Sequence, residues 1–198
     1  MIIKRLLMKR FLLTLALLLA AAGPSFAQMK VRHVQPIVYY QGGMSVYANS
    51  GFFSLENGES RLVGRGGFKA GVGAELDYGN NFYLIPMLQL SKTRVRDERG
   101  NFSFLWLQVP VLADYRIDLA DYLSLDLGGG PYVARNLAGG RSRDYSRFDA
   151  GLTGRFSCVI LKHFIVGVHC NFGLVDLEQN SGGTSRLNSL ALSMGFRL

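Results

Sequence analysis

From Arg65 to the last residue, apolar and polar side chains alternate with a period of two, the spacing that sends successive side chains to opposite faces of a β-strand. In "FKAGVGAELDY", Phe68, Ala70, Val72, Ala74, Leu76 and Tyr78 share one face, while Lys69, Glu75 and Asp77 lie on the other. The same split recurs in the rows Phe82 to Leu90, Leu105 to Ile117, Leu123 to Val133, Phe148 to Ile160 and Phe164 to Leu174. The last row is Leu190, Leu192, Met194, Phe196 and Leu198. No apolar row contains a charged residue. A weaker strand, "IVYYQGGMSVY" from Ile37 to Tyr47, precedes them and brings the expected strand count to eight. Such a chain must hide one whole face of every strand, which restricts it to an all-β architecture closed on itself.

The opposite faces carry Lys69, Arg116, Arg147, Arg155 and Arg197 together with Glu75, Asp77, Asp114, Asp126 and Asp149, equal numbers of each sign. A soluble lipocalin-type barrel turns its apolar face inward and its charges to water; a membrane barrel does the reverse. Connection lengths separate the two. Matching apolar positions leaves "GNN", "DLADY" and "LKH" as short turns, whereas the alternate connections, about Asn49 to Gly64, Lys92 to Asn101, Arg135 to Ser146 and Val175 to Arg186, are long. Short periplasmic turns alternating with longer outside loops characterise outer-membrane barrels. The rows also approach the roughly 9–11 residues that a strand needs to cross a bilayer. Tyr78, Phe82, Tyr115 and Phe164 fall at the short-turn ends, where an aromatic girdle belongs. The expected fold is an eight-stranded antiparallel up-and-down transmembrane β-barrel of outer-membrane type.

The N-terminus agrees with that destination. Lys4, Arg5, Lys9 and Arg10 precede the apolar run "FLLTLALLLAAA", and "SFA" places small residues before a cut after Ala27, the layout of an export signal. Gln28 follows the cut, so no cysteine is offered for lipid anchoring. The expected organisation is a signal peptide over 1–27, a periplasmic segment over 28–35 and a barrel domain over 36–198. Cleavage removes those four cations and no acid, lowering the formal charge of +8 by four. The remaining cations are scattered rather than gathered on one face, which argues against nucleic-acid binding.

Hairpin matching gives an expected register. It sets Asp114 opposite Asp126 across the Asp118–Tyr122 turn, Arg155 opposite His169 across the Lys162 turn, and Asp126 opposite Arg155 across the next connection. The outcome is a lumen charge network of Asp114, Asp126, Arg155, His169 and Arg116. Two adjacent carboxylates can share a proton, but equal signs inside favour a structural plug in which arginines neutralise acids. An interior of eight strands is narrow enough for side chains to fill, so passive conduction is not expected.

Enzyme chemistry finds little support. A nucleophile needs a base within hydrogen-bond reach, yet His33 precedes the barrel, His163 sits in a turn, and His169 has Thr153 and Ser157 as its nearest hydroxyls. His33, His163, His169, Cys158 and Cys170 lack metal-ligand spacing. "GRGG" and "GGGP" lack the continuation of a phosphate loop and read as positions where large lumen side chains find room. No cofactor is expected. Cys158 pairs near Val166 and Cys170 near Gly154, four residues apart and roughly 13 Å along the strands, beyond disulfide reach. "NFS" at Asn101 is a chance match to a glycosylation acceptor.

The motifs on these strands bear a family likeness. "FLWLQVPVLADYRI" is similar to the Tyr-Leu-x-Ile-Pro-x-Leu-x-x-Lys-Tyr strand of the PorT-like outer-membrane β-barrel domain family, with Trp106-Leu107-Gln108-Val109-Pro110 in place of Tyr-Leu-x-Ile-Pro. "LGGGPYVARNLAG" resembles its Ala-Gly-Pro-Tyr strand, "RFDAGLTG" its Asp-x-Gly segment and "FGLVDL" its Gly-Leu segment. The likeness runs in order from Met44 to Leu198. It implies an eight-stranded barrel in the outer membrane of a Gram-negative bacterium and no catalytic residues. The namesake's association with protein secretion does not transfer on a domain-level likeness.

The function expected is therefore a non-enzymatic outer-membrane barrel with a charge-plugged lumen and long extracellular loops for surface or partner contacts. Its alternatives are an accessory of a protein secretion machine and a barrel enzyme acting on lipid A or peptides. Expected partners are outer-membrane lipids including lipopolysaccharide, reached through loops such as "SGFFSLENGESRLVG" and "KTRVRDERGN", and, on the export alternative, a secretion system. The barrel-assembly machinery joins them, because Leu190, Leu192, Met194, Phe196 and Leu198 form the expected closure strand and resemble a C-terminal assembly signal.

Overall fold

A computed structural model describes residues 30–49, 63–97, 100–139, 146–175 and 185–198. Eight strands follow in chain order: β1 (His33–Asn49), β2 (Val63–Gly79), β3 (Phe82–Asp97), β4 (Gly100–Ala120), β5 (Leu123–Gly139), β6 (Phe148–Ile160), β7 (Phe164–Gly173) and β8 (Ser185–Arg197). Each pairs antiparallel with its neighbour, and β8 returns to β1, so the sheet is a closed barrel with no free edge. Closure matters physically because unpaired backbone groups in hydrocarbon cost several kcal/mol each. The closing ladder runs from Ile37 opposite Arg197 to Asn49 opposite Ser185, and the Leu198 N–H donates to the Pro36 carbonyl at 3.0 Å.

The barrel is inside out relative to a soluble protein. Leu88, Leu127, Leu152, Phe156, Leu190, Leu192, Met194, Phe196 and Leu198 all point outward and are exposed, Leu192 at 71%. Glu75, Gln89, Gln108, Asp114, Arg116, Asp126, Arg155, His169 and Arg197 are buried inside. That polarity is stable only where the surroundings are apolar. The interior is not uniformly polar. Ile37, Tyr39, Ile85, Met87, Leu112, Val159 and Ile165 pack together in the short-turn half. Phe104, Trp106, Tyr132 and Ala134, with Leu187 against them, pack in the other.

Several sequence expectations shift. The chain pairs as strand from His33, so the end of the segment 28–35 joins the barrel; residues 1–27 lie outside the described residues. "KTRVRDERGN" is largely strand rather than loop, since β3 and β4 pair out to Asp97 opposite Gly100. Its charges obscure a period-two row that continues straight out of Leu88 and Leu90. The expected register across β4 and β5 is wrong by two residues: a bulge between Asp118 and Ala120 carries pairing to Ala120 opposite Leu123. Asp126 therefore faces Arg116, not Asp114, and Asp114 faces Gly128. Pairing across β5 and β6 moves by the same amount, because β5 runs on to Gly139, and Arg155 also faces Gly128 rather than Asp126. Arg155 opposite His169 stands as expected.

The turns are tight. Asn80 and Asn81 both have positive φ, 52° and 63°, the primed hairpin geometry whose twist matches that of the strands it joins. Leu161 and Lys162 adopt the same left-handed region. Cys158 and Cys170 are free, opposite Val166 and Gly154.

Candidate functional site

The dominant polar feature is an ion network across the short-turn half of the lumen. Arg116 on β4 grips Asp126 on β5 with both ends of its guanidinium, Nε to Oδ1 at 2.7 Å and Nη2 to Oδ2 at 2.9 Å. Its Nη2 also lies 3.1 Å from Oε1 of Glu75 on β2. Arg197, the penultimate residue, donates from Nη2 to Oε2 of Glu75 at 2.8 Å and approaches Asp126 at 3.5 Å. Arg155 on β6 donates to Asp114 on β4 and to the Tyr39 hydroxyl on β1, with Asp126 3.6 Å away. Three guanidinium groups thus meet three carboxylates, and the cluster is formally neutral. Bidentate arginine–carboxylate pairing of this kind gives both strength and fixed geometry.

Aromatic rings brace the cations. Arg116 lies 4.0 Å from the centre of the Tyr83 ring and Arg155 5.4 Å from that of Tyr39, within cation–π range. Gly128 makes room: a Cβ there would collide with the Asp114 carboxylate, so the glycine lets Asp114 cross β5 towards Arg155. Tyr39 similarly lies over Gly195, where an added Cβ would come within 3.1 Å of its ring.

Of the residues expected in the lumen network, Asp114, Asp126, Arg155 and Arg116 come together. His169 stands at the margin: its Nδ1 meets Gln41 Nε2 at 3.2 Å and its ring packs edge-on to Tyr39 at 5.9 Å. Its Nε2 is buried without a hydrogen-bond partner, as is the Ser157 hydroxyl. The Thr153 hydroxyl is bonded to Asn171. Neither hydroxyl is coupled to the imidazole. Among the described residues no cluster of metal-ligating side chains forms. The adjacent carboxylate pair expected between Asp114 and Asp126 is replaced by two acids whose nearest partners are different arginines, Arg155 and Arg116, with Arg155 also within 3.6 Å of Asp126.

Glu75, Arg197, Tyr39 and Tyr83 belong to the network although hairpin matching does not join them to it. Tyr39, Glu75 and Arg197 come from β1, β2 and β8 and reach the arginines and acids of β4, β5 and β6 across the lumen, whereas Tyr83 on β3 meets Arg116 from the neighbouring strand. Only their inward parity is readable in the sequence.

A second polar group occupies the long-connection half. The Tyr132 hydroxyl donates to Asp149 Oδ2 at 2.9 Å, and Lys69 Nζ reaches Ser189 Oγ at 3.4 Å. A cavity between them, lined by Lys69, Trp106, Gln108, Tyr132, Asp149 and Asn171, has room for about one water molecule. Trp106 Nε1 and Asp149 Oδ1 are buried there without protein partners.

The five residues of the expected closure row, Leu190, Leu192, Met194, Phe196 and Leu198, all point away from the lumen. At the short-turn rim Phe196 meets Phe164 at 5.2 Å, nearly perpendicular, and stacks on His163 at 5.8 Å.

The chain is similar to several solved structures. Neisserial surface protein A is 16% identical, with a TM-score of 0.52 over 84% of this chain and 99% of that one. OprG of Pseudomonas aeruginosa is 10% identical, with a TM-score of 0.49 over 84% and 97%. Ail of Yersinia pestis is 16% identical, with a TM-score of 0.43 over 83% and 97%. At these identities the likeness to the neisserial protein speaks for the fold alone. No curated protein matches the sequence. The family model described as "Outer membrane protein beta-barrel domain" matches residues 26–179, a span that holds β1 to β7. The chain belongs to the outer membrane protein beta-barrel domain family and resides in the cell outer membrane.

Proposed function

We propose that the protein is a non-enzymatic, non-conducting surface barrel, a rigid membrane scaffold whose extracellular ends make the contacts that matter. The observation that carries this reading is the neutral network of Glu75, Asp114, Asp126, Arg116, Arg155 and Arg197 crossing the lumen. A solute would have to separate buried ion pairs to pass, and breaking such pairs costs about 3–5 kcal/mol each. The uncoupled ring of His169 supports the non-enzymatic part. Kinship with PorT-like barrels draws support from the order of the motifs, with "FLWLQVPVLADYRI" on β4 and "LGGGPYVARNLAG" on β5.

Two readouts test the proposal on one preparation. Proteoliposomes containing the refolded mature protein are expected to swell in a neutral pentose no faster than empty vesicles. Lipid A incubated with the protein is expected to keep its mass profile. Faster swelling would remove the plug reading, and a shifted lipid A mass would make the barrel an enzyme.

A further inference from the structure

We infer that the outer face of β3 to β5, at the extracellular edge of the apolar belt, binds the phosphate groups of an outer-leaflet glycolipid through Lys92, Arg94 and Arg135. The inference deepens the surface-contact part of the proposed function and rests on it, but not on the plugged lumen.

Direction comes from the strands themselves. Lys92 and Arg94 continue the outward row of Leu88 and Leu90 on β3, and Arg135 continues that of Val133 on β5; Leu88, Leu90 and Val133 are exposed. Register brings the cations close together. Leu90 faces Leu107 on β4, which faces Arg135 on β5, and Lys92 lies one outward step beyond Leu90. The patch is therefore two strand spacings wide, about 10 Å, and two outward steps deep, about 13 Å.

The cations lack the partners that those inside the barrel have. Arg116, Arg155 and Arg197 each meet carboxylates, whereas none of the three outward cations forms an ion pair among the described residues. At this height no Asp or Glu shares the outward rows of the described residues. On the far side, β6 presents Phe148 and Leu152 instead, so the patch is local and not a girdle.

An unpaired cation bordering hydrocarbon is costly unless an anion meets it. This side of the barrel bears the long connections and is extracellular, so the lipid it meets is the phosphorylated glycolipid of the outer leaflet. Arginine binds phosphate in a bidentate fork. Leu90 and Leu107 lie directly beneath for the acyl chains, and Phe68 stands opposite Lys92 on β2. Separate cations about 10 Å apart across the strands suit two phosphates held apart on one sugar backbone better than a single headgroup.

The test is retention of bisphosphorylated lipid A by the full mature barrel in detergent, read by native mass spectrometry. Monophosphorylated lipid A and phosphatidylglycerol serve as competitors. The triple variant Lys92→Gln, Arg94→Gln, Arg135→Gln is expected to bind bisphosphorylated lipid A on the order of a hundredfold more weakly, while Lys162→Gln, in the short turn at the opposite end of the barrel, binds as the wild type does. Heat-modifiable gel mobility verifies that each variant is folded; should the triple variant fail to fold, Arg94→Gln alone is expected to lower retention severalfold. Undiminished binding by the folded variant would overturn the inference. So would phosphatidylglycerol competing equally well. Vesicle swelling of the triple variant stays at the empty-vesicle rate in either case, so loss of this site and failure of the closed-lumen reading are separately visible.

Discussion

Asp126 carries more of the interior than any other acid. It accepts both bonds of the Arg116 fork and lies within 3.6 Å of Arg155 and Arg197. Asp126→Asn keeps the shape but leaves three guanidinium groups facing two carboxylates, and uncompensated buried charge costs about 3–5 kcal/mol. Urea unfolding of the refolded barrel is expected to show a loss on the order of 3 kcal/mol, and an unmoved midpoint would mean that the network holds nothing together. Its inward direction is legible in the alternation of β5, as are those of Arg116 and Arg155 in their own strands. Its partners are only partly so. Hairpin matching joins neighbours along the sheet, whereas Glu75 and Arg197 reach Asp126 and Arg116 through the lumen, a contact that depends on barrel curvature and side-chain length. Trp106 and Tyr132 also have inward parity in the sequence, and their packing into one apolar cluster follows from the pairing of β4 with β5.

β8 shows how much one strand can decide. It supplies the second edge for β1, the outward row from Leu190 to Leu198, and in Arg197 the third guanidinium of the network. Removing Phe196 to Leu198 deletes the Ile37–Arg197 and Val38–Phe196 pairs, the Leu198 N–H to Pro36 bond and one cation from the lumen. We predict that this truncation abolishes assembly into the outer membrane, with no folded band in a heat-modifiability gel of whole cells; normal surface display would refute the closure-signal reading. The closing role is legible because apolar alternation runs to the last residue. Bounds elsewhere are less so. β3 and β4 continue through "KTRVRDERGN", where charge density looks like a loop although the period of two persists. The β4–β5 register requires the bulge at Asp118 and Ala120, which matching of apolar residues cannot detect, because a register shift of two residues leaves facial parity unchanged.

The molecule as a whole is organised by two inversions. Its apolar residues face outward along a closed wall, and its charges face inward, where they cancel. Strand number, sidedness and closure follow from the alternation and from the long-short sequence of connections, both of which are properties of the amino-acid order alone. What plugs the lumen is legible there in outline, as equal signs on the inner face, but not as a specific arrangement. The arrangement divides the barrel into a charged, aromatic-braced half near the short turns and a half with a water-sized cavity near the long connections. The measurement that tests the closed lumen most directly is single-channel current across a planar bilayer containing wild-type barrel verified as folded by its gel mobility. A sealed lumen gives a baseline without stepwise openings at any moderate voltage. Sustained, reproducible conductance steps from that protein would show that the arginine–carboxylate network does not seal the barrel.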